Sequence, residues 1–253
     1  MGGYHARTTV SRVIEIEERD ALTILTLDRP ERRNALNHDM LEQLAHAQRS
    51  LGPKTRVVVL RGSGGNFCSG ADLSGVEDQE FVDLLGKVLS GFRQLPLPVV
   101  AAIEGFALGA GTQLALACDL RMATVDAGFG VPAVKLGLMV DQWTVRRLVA
   151  AVGQSTARHL LLTGDVLSGQ RAYDLGFLHH LGSADEALAW AGEIAKKAPL
   201  TIQGLKLGLN EADAEVETSA TYADAFRRAW SSADLAEGLA AFREKRSPNF
   251  EGR

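Results

Sequence analysis

The chain has 253 residues, 46% of them hydrophobic and 23% charged, and a formal net charge of −4 at pH 7. This composition is typical of a globular protein that folds as one large domain or as a domain with an appendage. The slightly acidic balance argues against nucleic acid or an anionic membrane surface as the main partner. An anionic ligand would have to be bound by a local cluster of positive groups.

The two cysteines, Cys68 and Cys118, lie in apolar or glycine-rich stretches without the spacing of metal ligands. They are therefore predicted to be free thiols in a reducing cytosol. No stretch approaches the roughly 18 to 20 apolar residues that a membrane span needs. The first residues, "MGGYHARTTVSR", lack the apolar run of a signal peptide and the Ser or Thr of a myristoylation motif, so we expect a cytoplasmic location.

The first half of the chain shows strands and helices in turn. Residues 13–27 alternate in two short runs separated by "ERD", which predicts a β-hairpin. Helical spacing follows, with Asn37 as the predicted N-cap. "RVVVLRGSGG" is typical of a buried strand that ends in glycines. After a polar stretch at residues 74–79 a helix is predicted to about Phe92, where "LPLP" stops it.

This order repeats from Pro98. "PVVAAIEG" predicts a strand, "GAGTQLALA" a helix and "DLRMAT" another strand, which together favour an α/β domain built from βαβ units. After Val140 we predict only helices, separated by Gly or Ser-Gly turns. The predicted division is a core at residues 1–195, with residues 1–11 as a flexible tail, and a helical region at residues 196–253 that belongs to the same functional unit.

Two glycine-rich stretches, "RGSGGNFCSGADL" and "GFALGAG", each follow a predicted strand. Neither has the pattern of a P-loop, a dinucleotide fingerprint or a nucleophile elbow, which argues against a dinucleotide-binding oxidoreductase. Each stretch alone fits a plain turn, but together they would expose backbone N–H groups at one edge of the sheet. Such a pair forms an oxyanion hole, which suits a thioester that passes through an enolate. Acyl or phosphoryl transfer would also suit it, but no Ser–His or Cys–His arrangement accompanies the glycines.

Four motifs occur in order over nearly the whole chain: "DRPERRNAL", "FCSGADL", "EGFALGAGTQLALACDLR" and "AFREKRSPNF". Together they resemble the enoyl-CoA hydratase/isomerase (crotonase) family. The resemblance implies an α/β fold, a repeated ββα spiral whose C-terminal helical region trimerises, giving a homotrimer or a dimer of trimers. It also implies an acyl-CoA thioester as ligand, no permanently bound cofactor and no metal. The oxyanion hole would consist of the backbone N–H groups of Ala71 and Ala110.

The same resemblance implies how CoA is held. The "RPERR" cluster supplies three guanidinium groups in a net-acidic chain, and arginine suits phosphate oxygens, although a solvated loop with Glu31 as an ion-pair partner is the simpler interpretation of the cluster alone. By motif position, the phosphate and adenine channel would be lined by Arg29, Arg33, Ala35 and Leu36, the adenine and pantetheine would be edged by Ala71, Asp72 and Leu73, and a CoA on a neighbouring subunit would be reached by Phe242 and Lys245.

Two positions depart from the hydratase pattern. The family's hydratases place one Glu three residues into the helix of the second glycine motif and another shortly after a following Pro. Here these positions hold Gln113 and Ala133. Gln113 lies on the same helical face as Ala110 by its i, i+3 spacing, so it still points at the site. Hydration of a double bond needs a base for water and an acid for the α-carbon, so we predict very weak hydratase activity.

One carboxylate remains. Asp141 matches a position where the family's dienoyl-CoA isomerases carry an Asp, and a single base is enough to move a proton between two carbons. The alternative is that Asp141 caps the helix starting near Trp143 or pairs with Arg146, and the two roles are compatible. The hypotheses are thus an acyl-CoA-binding or carrier protein without chemistry, which we favour, and an enoyl-CoA or dienoyl-CoA isomerase or weak hydratase.

Other positions carry weaker signals. His179 and His180 are predicted to end a helix, where the helix dipole favours imidazole. Trp143 is expected to line the acyl pocket or to pack in the core, and the apolar stretch at residues 81–92 to line an acyl tunnel. His38 and His46 have no third ligand nearby that would indicate a metal.

Overall fold

The computed structural model describes residues 12–74, 79–212 and 220–249. Within these residues the strands are β1 (Ile14–Arg19), β2 (Leu22–Leu27), β3 (Val57–Gly62), β4 (Val99–Ile103), β5 (Phe106–Leu108), β6 (Leu120–Ala123), β7 (Gly128–Gly130), β8 (Leu167–Ser168) and β9 (His180–Leu181). The larger sheet has the order β1-β2-β3-β4-β6-β9 and the smaller one the order β5-β7-β8.

The larger sheet confirms the predicted α/β class. β1 and β2 form the predicted antiparallel hairpin, and β2, β3, β4 and β6 are parallel to one another. All side chains of β2 and β4 are buried, as expected for parallel strands that are covered on both faces. One face packs on the main hydrophobic core, and the helix α6 (Ala184–Ala195) covers the other face.

The helices also follow most of the predicted boundaries. The N–H of Met40 donates to Asn37 Oδ1 at 3.0 Å, so the predicted cap is confirmed. The helix α4 (Gln142–Thr163) is interrupted at Gly153, whose φ of 77° is not helical. Two short 3-10 helices cover Pro30–Arg32 and Pro132–Leu136. The α-helices are α1 (His38–Arg49), α2 (Gln79–Gln94), α3 (Ala110–Ala117), α4 (Gln142–Thr163), α5 (Gly169–Asp174), α6 (Ala184–Ala195), α7 (Pro199–Ala212), α8 (Ala220–Trp230) and α9 (Ala233–Glu244).

The prediction that only helices follow Val140 is wrong, because β8 and β9 lie in that part of the chain. Each has two residues, which is too short to leave a periodic pattern. The prediction for the histidines is also wrong, since α5 ends at Asp174 and His180 lies in β9. His179 Nδ1 accepts the N–H of Arg121 at 3.1 Å, and burial, followed by the positive charge of Arg121, lowers the pKa of His179 to about 4. His179 is therefore a neutral structural residue near pH 7.

In the described part of the chain, no helix is long and apolar enough to cross a membrane. The same residues contain no group of three His, Cys, Asp or Glu side chains that could hold a metal ion. The predicted flexible tail at residues 1–11 lies outside the described residues.

The C-terminal helices pack on the core through polar anchors. Lys206 on α7 is buried, and its Nζ donates to Asp119 Oδ2 at 2.7 Å and to the carbonyl oxygens of Phe92 and Leu97. The indole Nε1 of Trp230 on α8 donates to Met139 O at 2.9 Å. The bonds of Lys206 hold α7 against the end of α2 and the segments that precede β4 and β6, and the bond of Trp230 holds α8 against the segment between β7 and α4.

Glycines allow α9 to approach the 3-10 helix at Pro132–Leu136. A Cβ on Gly137 would lie 2.7 Å from Asp234 O, and one on Gly238 would overlap Leu136 O. The backbones of α9 and of residues 136–137 therefore touch directly. This contact positions Ala133, which lies one turn before Gly137.

Gly238→Ala should destabilise the fold by about 1–3 kcal/mol, because the new methyl group meets a backbone oxygen that cannot move aside easily. A Cβ at Gly192 on α6 meets nothing within 4 Å, so Gly192→Ala is the matched control and should be neutral or stabilising by up to about 1 kcal/mol. Urea unfolding of the two variants beside the natural protein measures both effects. Equal stability of the two variants would contradict the close approach.

Candidate functional site

A cavity of about 560 Å³ lies where the glycine motifs, α2 and the C-terminal helices meet. Its volume is in the usual range for a small-molecule site, and most of its lining is apolar. The predicted site residues Ala71, Ala110, Gln113, Ala133 and Asp141 all line it. These five residues are up to seventy positions apart in the sequence, and the fold brings them together around one cavity.

Ala71 and Ala110, which both line the cavity, each have a backbone N–H that is available as a donor. Leu36 N–H donates to Gly70 O at 2.8 Å and Asp72 N–H donates to Leu36 O at 2.7 Å, so the intervening N–H of Ala71 points away from Leu36. Ala110 is the first residue of α3, where an N–H has no partner within the helix. Among the described residues, neither N–H donates a hydrogen bond.

The two segments lie against each other. A Cβ on Gly70 would lie 3.1 Å from Leu108 O and 4.0 Å from the backbone nitrogen of Ala110. Gly109, with a φ of 52°, turns the chain from β5 into α3. A left-handed φ favours glycine at this turn, so the sequence "LGAG" places the N–H of Ala110 at the cavity wall.

Gln113 and Asp141 both form hydrogen bonds with Thr144, Gln113 with its hydroxyl and Asp141 with its backbone N–H. Gln113 Nε2 donates to Thr144 Oγ1 at 2.7 Å, and the N–H of Thr144 donates to Asp141 Oδ1 at 2.7 Å. Gln113 is 6% exposed and Thr144 is fully buried. Gln113 Oε1 has no hydrogen-bond partner among the described residues. Because this oxygen is not fully buried and Gln113 lines the cavity, the oxygen is accessible to a ligand there.

Asp141 has the predicted structural role. It is the N-cap of α4, which starts at Gln142, and its negative charge lies at the positive end of the helix dipole. Because Oδ1 serves the cap, Oδ2 is the oxygen left for a ligand. Asp141 lines the cavity, and the fixed helix end holds the orientation of its carboxylate.

Arg29 differs from its predicted place in the phosphate and adenine channel, because its guanidinium does not line the cavity. Nη1 donates to Ala35 O at 2.7 Å, and Nη2 forms a 2.9 Å ion pair with Asp72 Oδ2. Burial tends to raise the pKa of Asp72, but hydrogen bonds from Ser74 and Arg29 outweigh it, so the pKa lies below the usual value of 3.8. The pair ties the "RPERR" loop to the segment that carries Ala71.

Asp72→Asn should reduce the free energy of unfolding at neutral pH by about 1 kcal/mol, because the ion pair is lost. Since the pKa of Asp72 is lower in the folded state, the carboxylate stabilises the fold above pH 3.8, and this contribution is lost as the pH falls through the folded-state pKa. The stability difference between the natural protein and the variant should therefore shrink as the pH decreases below about 4. Denaturant unfolding at a series of pH values tests this, and a difference independent of pH would contradict it.

The cavity mouth holds exposed charged residues. Arg32 and Arg33 line it together with Glu31 and Ala35, and Arg33 has a left-handed φ of 50°. The family resemblance assigns Arg33 to the phosphate and adenine channel, but not Arg32. The resemblance also places Leu36 in this channel, but its side chain is buried in the core, and its backbone pairs with that of Gly70 and Asp72.

Of the remaining residues that are predicted to contact CoA, some line the cavity and one does not. Asp72, Leu73 and Phe242 line the cavity, whereas Lys245 ends α9 outside the lining. Phe242 is 59% exposed, and it lies in the cavity of its own chain. The predicted contact of Phe242 and Lys245 with a CoA on a neighbouring subunit stays a prediction.

The apolar part of the cavity lies between α2 and the C-terminal helices. Of the predicted tunnel residues, Phe81, Val82, Leu85 and Gly86 line it, whereas Phe92 is in the core. Trp143 packs against the core, with the Arg93 guanidinium 5.1 Å from its ring centre, and does not line the cavity. A second group of lining residues lies on α8 and α9 and has no recognisable signal in the sequence. These residues are Phe226, Trp230, Leu235 and Leu239.

Comparison with known proteins matches residues 17–253 to the family described as enoyl-CoA hydratase/isomerase. The chain is similar to a probable enoyl-CoA hydratase of Mycobacterium tuberculosis, with 43% identity over 242 residues that cover 95% of this chain and 100% of that protein. A crotonyl-CoA hydratase of Syntrophomonas wolfei is 35% identical over 252 residues, covering 94% and 97%. Among solved structures, a methylmalonyl-CoA decarboxylase superposes with a TM-score of 0.88 at 26% identity, covering 96% and 99%.

Proposed function

The chain belongs to the enoyl-CoA hydratase/isomerase family, and we propose that it binds fatty acyl-CoA thioesters through an oxyanion hole with little or no hydratase activity. The proposal depends on one observation. The same cavity is lined by Ala71 and Ala110, which offer backbone N–H donors, and by Gln113 and Ala133, which replace the two glutamates of the hydratases. The family's crotonase-like α/β fold with a C-terminal helical region is as predicted.

The cavity supports binding of a thioester. We infer that the N–H groups of Ala71 and Ala110, both of which line the cavity, donate together to the thioester oxygen, since such a pair stabilises negative charge on a carbonyl oxygen. The exposed guanidinium groups of Arg32 and Arg33 at the mouth suit the phosphates of CoA. One of the similar solved structures is a methylmalonyl-CoA decarboxylase in complex with 2S-carboxypropyl CoA, which supports the same class of ligand for this fold. CoA thioester is thus the ligand, and no permanently bound cofactor is part of the proposal.

At the two positions where the family's hydratases carry glutamate, the cavity holds no group that transfers protons. An amide such as that of Gln113 neither accepts nor releases a proton at ordinary pH, and the methyl group of Ala133 has no proton to transfer. An oxyanion hole alone retains part of a rate enhancement, but water still needs a base and the α-carbon needs an acid. We therefore propose a binding or carrier role, in which Gln113 Oε1 orients the ligand.

Asp141 supports a second candidate function. This residue lines the cavity, and its carboxylate has one oxygen that the helix cap does not use. A single carboxylate can remove a proton from one carbon and return it to another, so an enoyl-CoA or dienoyl-CoA isomerase is the alternative.

Titration calorimetry with acyl-CoAs, next to hydratase and isomerase assays of the same sample, separates these functions. We expect binding, very slow hydration of crotonyl-CoA and no isomerase turnover. Isomerase turnover that Asp141→Asn abolishes would establish the alternative, since Asn keeps the helix cap but is not a base. Failure to bind any acyl-CoA would exclude both functions.

We also propose that the protein assembles as a homotrimer or a dimer of trimers. Helix α7 exposes Leu200, Leu205, Leu207 and Leu209 by 60 to 79%, and so large an apolar surface is typical of an interface. Light scattering should give the mass of three or six copies, and Leu205→Lys with Leu209→Lys should reduce it.

A cytoplasmic location is part of the proposal, supported by the buried free thiols of Cys68 and Cys118.

A further inference from the structure

Helix α2 forms one wall of the apolar part of the cavity, and it contains a glycine there. Phe81, Val82, Leu85 and Gly86 line the cavity from successive turns of this helix. Phe81 and Leu85 belong to its buried face, Val82 is half-buried, and Gly86 is exposed. Positions 82 and 86 are one turn apart on the same flank, so the cavity reaches the surface beside Gly86.

Packing does not explain this glycine. A Cβ at position 86 would meet nothing within 4 Å, and the backbone there is not left-handed. By contrast, a Cβ on Gly91 of the same helix would overlap the amide of Gln48, which is held by its hydrogen bond to Val88 O. Glycine in a helix interior is destabilising relative to alanine, so position 86 carries a cost without a structural reason in its surroundings.

Apolar residues on α9 continue the cavity lining. Leu235, Leu239 and Phe242 follow one another on a single face of that helix at spacings of four and three residues. Leu235 and Leu239 are buried, whereas Phe242 is exposed. The C-terminal helices thus supply an apolar wall that extends from the interior to the surface, as a hydrocarbon chain would require.

We propose that Gly86 keeps the acyl end of the cavity open, so that a long, linear acyl chain leaves the protein beside α2. The proposal rests on the acyl-CoA binding proposed above, and it names the ligand class as long-chain rather than short-chain thioesters. A side chain at position 86 would project from the flank of α2 across this opening. Short acyl groups end before the opening and are unaffected by it.

The test compares butanoyl-, octanoyl-, dodecanoyl- and hexadecanoyl-CoA by titration calorimetry on the natural protein, Gly86→Ala and Gly86→Leu. The natural protein should bind more tightly as the chain lengthens. Gly86→Leu should weaken hexadecanoyl-CoA by about tenfold or more, because the methylene groups beyond the obstruction lose their burial. Butanoyl-CoA should change by less than about twofold, which also shows that the variant is folded. Gly192→Leu on α6, where a Cβ also meets nothing within 4 Å, is the control and should leave every affinity unchanged.

The outcomes are distinguishable. If the natural protein binds none of the four thioesters, the proposed function itself fails. If it binds them but Gly86→Leu weakens all four equally, or none, the role of Gly86 is overturned and the binding function stands. Loss of binding to all four thioesters in both Gly86→Ala and Gly86→Leu would likewise overturn the role of Gly86.

Discussion

Replacing both Gln113 and Ala133 with glutamate is expected to raise the rate of crotonyl-CoA hydration by about 10²- to 10⁴-fold, the usual contribution of positioned acid and base groups. Both positions line the cavity beside the N–H groups of Ala71 and Ala110. Thr144 Oγ1, which now accepts the hydrogen bond of Gln113, is a hydroxyl that can turn and donate to a carboxylate at position 113. The site would then hold an oxyanion hole and two proton-transfer groups.

The controls separate proton transfer from a change of shape. Gln113→Glu with Ala133→Gln has nearly the same volume as the double glutamate variant but lacks the second carboxylate, so it should regain much less activity. Stopped assays of crotonyl-CoA consumption at a series of pH values give the rates. If the double glutamate variant binds butanoyl-CoA like the natural protein and still hydrates crotonyl-CoA no faster, these two residues are not the reason for weak hydration.

The polar part of the site could be predicted because its residues lie at fixed distances along the chain from recognisable features. Gln113 is three residues after Ala110 on one helix, and Asp141 immediately precedes an amphipathic run. Helix periodicity and caps depend on neighbours within one turn. The same local signals predicted Asn37 as the cap of α1 and the hairpin of β1 and β2.

The rest of the site depends on contacts between distant parts of the chain. Arg29 pairs with Asp72, forty-three residues away, so a guanidinium that local sequence assigns to phosphate is already engaged. The apolar wall formed by α8 and α9 depends on how these helices pack, which Gly137, Gly238 and the hydrogen bond from Trp230 to Met139 O determine. None of these partners leaves a periodic signal in its own segment.

Arg32→Ala combined with Arg33→Ala is expected to weaken acyl-CoA binding by about 100-fold at low salt, since each guanidinium supplies a charge-assisted hydrogen bond to phosphate. Both side chains are exposed at the cavity mouth, in a chain whose net charge is −4. Their attraction to phosphate should be screened by salt, so the natural protein should lose affinity as ionic strength rises and the variant much less.

The same variant distinguishes recognition of the CoA phosphates from recognition of the thioester. An acyl-pantetheine lacks the phosphates, so the natural protein and the double alanine variant should bind it equally. Arg19→Ala, at an exposed ion pair on β1 away from the cavity, is the control and should change neither affinity. Arg29→Ala should instead lower stability, because its guanidinium holds Asp72 and Ala35 O rather than a ligand. Equal weakening of acyl-CoA and acyl-pantetheine by the double alanine variant would show that Arg32 and Arg33 support the cavity mouth rather than bind phosphate.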